Sequence, residues 1–241
     1  MASVLLLGST GLVGSFILSI LRTAPPSQVS GIEILARRSP PPPSAAAASI
    51  PVSEFINKDL ATWGPHIESL PPPPPAVLFS ALATTRVAAG GYANQYKLEH
   101  DKNIELARAA HKIGTKSYVL ISSGGADPKS WMSYLRMKGE IDQHVQDIGF
   151  EHTVILRPGL IIGAREESRL AESVFRAVAL GLGKINSRLF KDSWAVEAEV
   201  IAKAAVVAGL KAARGEVKEK VWIVGQQEIL KLGKTEWKGL S

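Results

Sequence analysis

The stretch Val4-Leu-Leu-Leu7-Gly8-Ser-Thr-Gly11-Leu-Val-Gly14 decides how the rest of the chain is read. Its four apolar residues form a short continuous burst, the pattern of a strand buried on both faces. Three glycines at a spacing of three then mark a tight turn, and residues 12–23 carry the apolar periodicity of a helix. A hydropathy window over residues 2–21 also suggests a signal peptide or a membrane span. Both are rejected, because Gly8, Ser9, Thr10, Gly11, Gly14 and Ser15 interrupt the run and no basic segment precedes it. The expectation is that no targeting peptide precedes the fold.

Outward from this unit, apolar bursts recur at residues 32–36, 52–56, 77–81, 117–122, 153–156 and 221–224. Helix-like stretches at 94–113, 131–149 and 196–213 alternate with them. Parallel neighbours need crossover connections, so the alternation predicts an α/β fold with a Rossmann-type, doubly wound parallel sheet. Residues 1–157 are expected to form the core and 158–241 a small C-terminal region completing the sheet and the substrate pocket. Nine of the 15 prolines fall in two runs, at 40–43 and 71–75. These are read as surface spacers, the first within a proline- and alanine-rich insertion at 39–49.

In this context the glycine turn is a phosphate cradle. Gly8, Ser9, Thr10, Gly11, Leu12, Val13 and Gly14 join a strand to a helix, where free N–H groups and the positive dipole end hold an anion. About 20 residues further on, a dinucleotide site that prefers NAD carries an acid for the ribose 2′-hydroxyl. Here Arg37 and Arg38 stand instead. Guanidinium groups grip a 2′-phosphate, so the expected cofactor is NADP(H).

Tyr134 and Lys138 are four residues apart on one face of a predicted helix, a short distance after Ser122 and Ser123. A free phenol titrates near ~10 and serves as a proton donor at neutral pH only beside a positive charge. The roles expected are proton transfer for Tyr134, cofactor anchoring for Lys138, and a hydrogen bond to the reacting oxygen from Ser122 or Ser123. Ser122 leads on spacing, although strand alternation lets only one of the two face the substrate.

Composition removes other chemistries. The chain lacks cysteine, which excludes a disulfide framework, a zinc ribbon and a thiol nucleophile. The formal charge of +6 is spread along the chain without a basic arm, so nucleic acid is not an expected partner. His66, His100, His111, His144 and His152 are scattered and predict no metal site. Glu140 and Asp142 are assigned to the solvated side of their helix. Trp131 is assigned to packing, with a place at the substrate entrance as the alternative.

The glycine spacing is similar to that of extended and atypical short-chain dehydrogenases. Further blocks strengthen the likeness: Ala83-Thr-Thr-Arg86, Ser122-Ser-Gly-Gly-Ala-Asp127, Tyr134-Leu-Arg-Met-Lys-Gly-Glu140, Arg157-Pro-Gly159 and Arg165-Glu-Glu-Ser-Arg169. Together they resemble the atypical short-chain dehydrogenases of the HIV Tat-interacting oxidoreductase family, especially its fungal mitochondrial outer-membrane members. That resemblance implies further NADP(H) contacts at Asp59, Leu82, Ala83, Ile161 and Arg169. It also implies a peripheral location on the cytosolic face of the mitochondrial outer membrane, with the cytoplasm as the alternative. Two functions follow: an NADP(H)-dependent carbonyl reductase or alcohol dehydrogenase, or a weakly catalytic NADP(H)-binding sensor with a protein partner. Peripheral membrane contact is electrostatic in either case, each lysine or arginine near an anionic surface contributing about 1 kcal/mol. The substrate is left open.

Overall fold

The computed structural model describes residues 1–42, 50–163 and 195–240. Strand β1 (Ala2–Leu7) leads through the glycine turn into α1 (Leu12–Arg22), followed by β2 (Val29–Ala36) and β3 (Val52–Ile56). Helix α2 (Trp63–Glu68) precedes β4 (Val77–Ser80). The next helical stretch is α3 (Tyr92–Tyr96), a π-helical turn (Lys97–Asp101) and α4 (Lys102–Lys112). Then come β5 (Ser117–Ile121), α5 (Ser133–Ile148), β6 (His152–Arg157), β7 (Leu160–Ile162), β8 (Ala195–Glu197), α6 (Ala198–Ala213), β9 (Val221–Gly225) and α7 (Gln226–Leu230).

Seven strands form one sheet in the order β3-β2-β1-β4-β5-β6-β9, and every neighbouring pair is parallel. The chain reverses its direction of winding between β1 and β4, the position at which ligands bind beyond the strand ends in such folds. Each face has its own core. Leu6, Phe79, Val119 and Val154 pack with α1 and α6 on one side. Leu7, Leu78, Tyr118 and Ile155 pack with α2, α4 and α5 on the other. Alternate residues of a strand thus serve opposite layers, which is why the bursts are continuously apolar. The short pair β7–β8 forms a second sheet beside the first.

The expected alternation and Rossmann topology are both present. Several details differ. The stretch 94–113 is not one regular helix but contains the π-helical turn, and β8 occupies the first residues of the expected helix 196–213. Trp131 lies ahead of α5 and is 88% exposed, so its expected packing role is wrong. The sequence reading also missed α2 and α7, each only five or six residues long. One or two turns carry too little periodicity to register. Much of the expected pocket wall, and residues 43–49 of the first proline insertion, lie outside the described residues.

Candidate functional site

Because the main sheet is wholly parallel, the residues following β1 through β6 collect along its carboxyl edge. Gly8 follows β1 with φ +80, and a Cβ there would stand 2.5 Å from the Ala81 carbonyl oxygen. A Cβ on Gly14 would lie 2.1 Å from the Gly8 carbonyl oxygen. Tight packing of the turn on itself and on the end of β4 therefore requires both glycines. Gly11 donates its N–H to the Gly8 carbonyl at 2.8 Å and caps α1 without a side-chain hydrogen bond. Ser9 is fully buried, and among the described residues its hydroxyl has no hydrogen-bond partner. Val13 is buried in the α1 core, so only its backbone can serve a ligand at the turn.

From this turn a groove of about 530 Å³ runs across the ends of β2, β3 and β4. Thr10, Arg37, Arg38, Leu82 and Ala83 line it. Lys58 lines it too, a residue that the sequence reading did not single out. The Asn57 side chain accepts the Asp59 N–H at 2.9 Å, while Trp63 Nε1 donates to the Asn57 carbonyl at 3.1 Å. That anchored turn presents Lys58 beside the two arginines. The available signal was position: Lys58 follows β3 by two residues, in the row of residues after the strands. Asp59 instead directs its carboxylate to the Ala61 N–H at 2.9 Å, capping the short 3₁₀ turn Leu60–Thr62.

Helix α5 carries the second group. Tyr134 is 41% exposed, whereas Lys138, one turn on, is buried with its Nζ 5.9 Å from the phenol ring centroid. Lys138 Nζ lies 2.8 Å from Glu99 Oε2 of the π-helical turn. Burial by itself opposes the ammonium charge, but Tyr134, Glu99 and Asp142 outweigh it and hold Lys138 above the ordinary lysine range. A Cβ on Gly139 would stand 2.2 Å from Asp127 and Pro128, so the loop after β5 packs directly on α5 beside Lys138.

Asp142 corrects the expected solvated helix face. It is 1% exposed and accepts Arg157 Nε at 2.8 Å. Desolvation raises its carboxyl above the usual range, while the Ser122 hydroxyl and Arg157 pull it down by less. Glu140 is half-buried and accepts the Tyr96 hydroxyl at 3.0 Å. Hydrophobic periodicity misses Asp142 because a carboxylate on a buried face scores as polar. The two serines separate by burial: Ser122 is 4% exposed, and Ser123 is only half-buried.

Ile161 sits on β7 opposite Val196 and packs against the core of α1 and α6. A Cβ on Gly163 would meet Leu12 Cδ1 at 2.7 Å, so the chain leaving β7 passes over the glycine turn. Arg169 lies outside the described residues. The fold also joins two of the scattered histidines, with His100 Nε2 at 2.8 Å from His144 Nδ1. Among the described residues no group of three or more side chains could hold a metal ion, and no helix is long and apolar enough to cross a membrane.

A glycine turn beneath a helix start, a basic groove over the strand ends and a tyrosine–lysine pair on the helix after β5 thus sit on one Rossmann-type α/β fold. A short-chain dehydrogenase family protein from Francisella tularensis superposes with a TM-score of 0.64 at 13% identity, covering 95% of this chain and 98% of that one. MoeE5 in complex with UDP-glucose and NAD gives a TM-score of 0.65 at 16% identity, covering 97% of this chain and 81% of that one. The particular family comes from sequence: the chain belongs to the fungal mitochondrial fmp52 proteins. It is 52% identical over 237 residues to Protein fmp52-1, mitochondrial, of Aspergillus terreus, covering 97% of this chain and 100% of that one. It is 44% identical over 239 residues to Protein fmp-52, mitochondrial, of Neurospora crassa, covering 98% of this chain and 97% of that one. No family model matches the chain.

Proposed function

We propose that this protein binds NADP(H) and reduces a carbonyl compound, or oxidises the corresponding alcohol. The observation that carries this reading is the convergence of Arg37, Arg38 and Lys58 on the groove that begins at the glycine turn. The residues present fit a dinucleotide. The helix start without a side-chain cap and the buried Ser9 hydroxyl, unpartnered among the described residues, suit a pyrophosphate, and the three cations suit a 2′-phosphate. When bound, the cofactor would supply the hydride. Tyr134 would then give its phenolic proton to the carbonyl oxygen, favoured by the neighbouring Lys138 charge, and Ser123 would hold that oxygen by a hydrogen bond. Burial of Ser122 favours Ser123 for this role.

Residues 1–157 would bind the cofactor and 158–241 would wall the substrate pocket, with Ile161 and Arg169 toward the nicotinamide end and Asp59 near the adenine. The relatives' mitochondrial names support a mitochondrial location, and peripheral attachment to the outer membrane is part of the same proposal. Release of the protein from purified mitochondria by a high-salt wash is the expected result. Retention through that wash excludes simple electrostatic attachment.

The deciding experiment is a thermal melt with each dinucleotide, since a ligand of the native state raises the midpoint by mass action. NADPH should raise it clearly and NADH much less; equal shifts would refute the 2′-phosphate assignment. A second reading, a sensor in which no hydride moves, is favoured by the buried ion pair that engages Lys138. Oxidation of bound NADPH across a carbonyl panel separates the two.

A further inference from the structure

Glu99 is 1% exposed, and its carboxylate meets three nitrogen groups from three parts of the chain. Oε1 accepts the Thr84 N–H at 3.1 Å and Gln95 Nε2 at 3.0 Å, while Oε2 lies 2.8 Å from Lys138 Nζ. Two neighbours fasten the same loop: Gln95 Nε2 donates to the Thr84 carbonyl at 3.0 Å, and Asn103 Nδ2 to the Leu82 carbonyl at 3.2 Å. Asn103 Nδ2 also donates to the Glu99 carbonyl at 2.6 Å. The segment 82–84 that runs along the groove is therefore tied through Glu99 to the helix bearing Tyr134 and Lys138.

Packing does not require this arrangement. A buried ion pair costs solvation on both sides, and apolar side chains of similar volume often replace one without loss of stability. The π-helical turn adds a local departure from regular helix at the residue concerned, a feature often found at functional sites. We propose that Glu99 is a positioning residue: it holds the Lys138 ammonium below Tyr134 and couples that lysine to the backbone at Thr84. The hold on Lys138 is independent of any ligand, whereas its consequence for binding rests on the dinucleotide reading above. The charged and titratable groups facing Lys138 are Glu99 from the π-helical turn and Tyr134 and Asp142 from its own helix. Arg157 of β6 and the Ser122 hydroxyl act on it through Asp142.

The test follows Lys138 directly, by NMR of lysine labelled at Cε and Nζ in the cofactor-free protein, with the signal assigned by its loss in Lys138→Met. In the native protein Lys138 should remain charged from about pH 6 to about pH 10. In Glu99→Gln desolvation loses one of the groups that oppose it, so Lys138 should release its proton at a lower pH than in the native protein, with Glu99→Asp falling between. An unchanged titration in Glu99→Gln overturns the proposal. Should that variant not fold, Glu99→Asp decides by the presence or absence of the same downward displacement.

Binding supplies a second readout. Glu99→Gln should weaken NADPH by about tenfold, the order expected for one charge-assisted hydrogen bond, and more as pH rises. Adenosine 2′,5′-bisphosphate, which ends short of Lys138, should bind within about twofold of the native protein. Equal loss of both ligands would mean a general collapse of the groove and would overturn the positioning role. Failure of the native protein to bind either ligand counts against the NADP(H) reading, while the NMR titration still judges the hold on Lys138.

Discussion

Arg37, just after β2, and Lys58, just after β3, line one groove. Arg37→Ala and Lys58→Ala should each weaken NADPH by about tenfold or more, the scale of one charge-assisted contact, and leave NADH nearly unchanged. Fluorescence titration of the reduced nicotinamide measures both, and parallel losses for NADPH and NADH would place the cations elsewhere. Tyr134 is partly open to solvent, with the buried Lys138 Nζ 5.9 Å from its ring centroid. Tyr134→Phe should bind NADPH as the native protein does and lose about 10²- to 10⁴-fold in turnover of any carbonyl found to be reduced. Normal turnover by that variant would assign the proton to another group.

At the scale of elements, the β1–α1 unit is a single packed object. Helix propensity favours alanine over glycine by about 1 kcal/mol, so Gly14→Ala would stabilise an isolated helix. In the fold the added Cβ meets the Gly8 carbonyl oxygen, a backbone atom that cannot swing aside. Gly14→Ala should therefore lower stability by about 1–3 kcal/mol or more, while Ser19→Ala on the exposed face of α1 stays within about 0.5 kcal/mol. Denaturant unfolding of the two variants checks the sign. A stable Gly14→Ala would show that the turn can open. The β1–α1 unit was legible because strand, turn and helix signals coincide within 11 residues. The π-helical turn was not, since its residues score as ordinary helix formers and only the pairing of Glu99 with Lys138 gives it meaning.

At the scale of the whole molecule, two tyrosines link the helices and sheet to alkaline pH. Burial and a hydrogen bond to Glu140 push Tyr96 up to about 12, and burial also raises Tyr118. A phenol whose folded pKa lies above its unfolded value of about 10 contributes stability that is complete below that pH and lost as pH rises through the folded value. Thermal midpoints should fall steadily above about pH 10, and Tyr96→Phe should flatten part of that slope. An unchanged slope would show that Tyr96 does not sense the transition.

The sequence by itself determined the α/β alternation, the parallel sheet, the glycine turn, the arginine pair after β2 and the tyrosine–lysine pair, because local spacing and periodicity encode all of these. Only the tertiary structure decided that Lys58 joins the arginines, that Asp142 is buried against Arg157, that Ser123 is more open than Ser122, and that Glu99 holds Lys138. Each of those facts depends on segments brought together across the sheet edge or between helices. A hydrophobic pattern records which face of an element is buried; it does not record which polar groups from distant segments meet there.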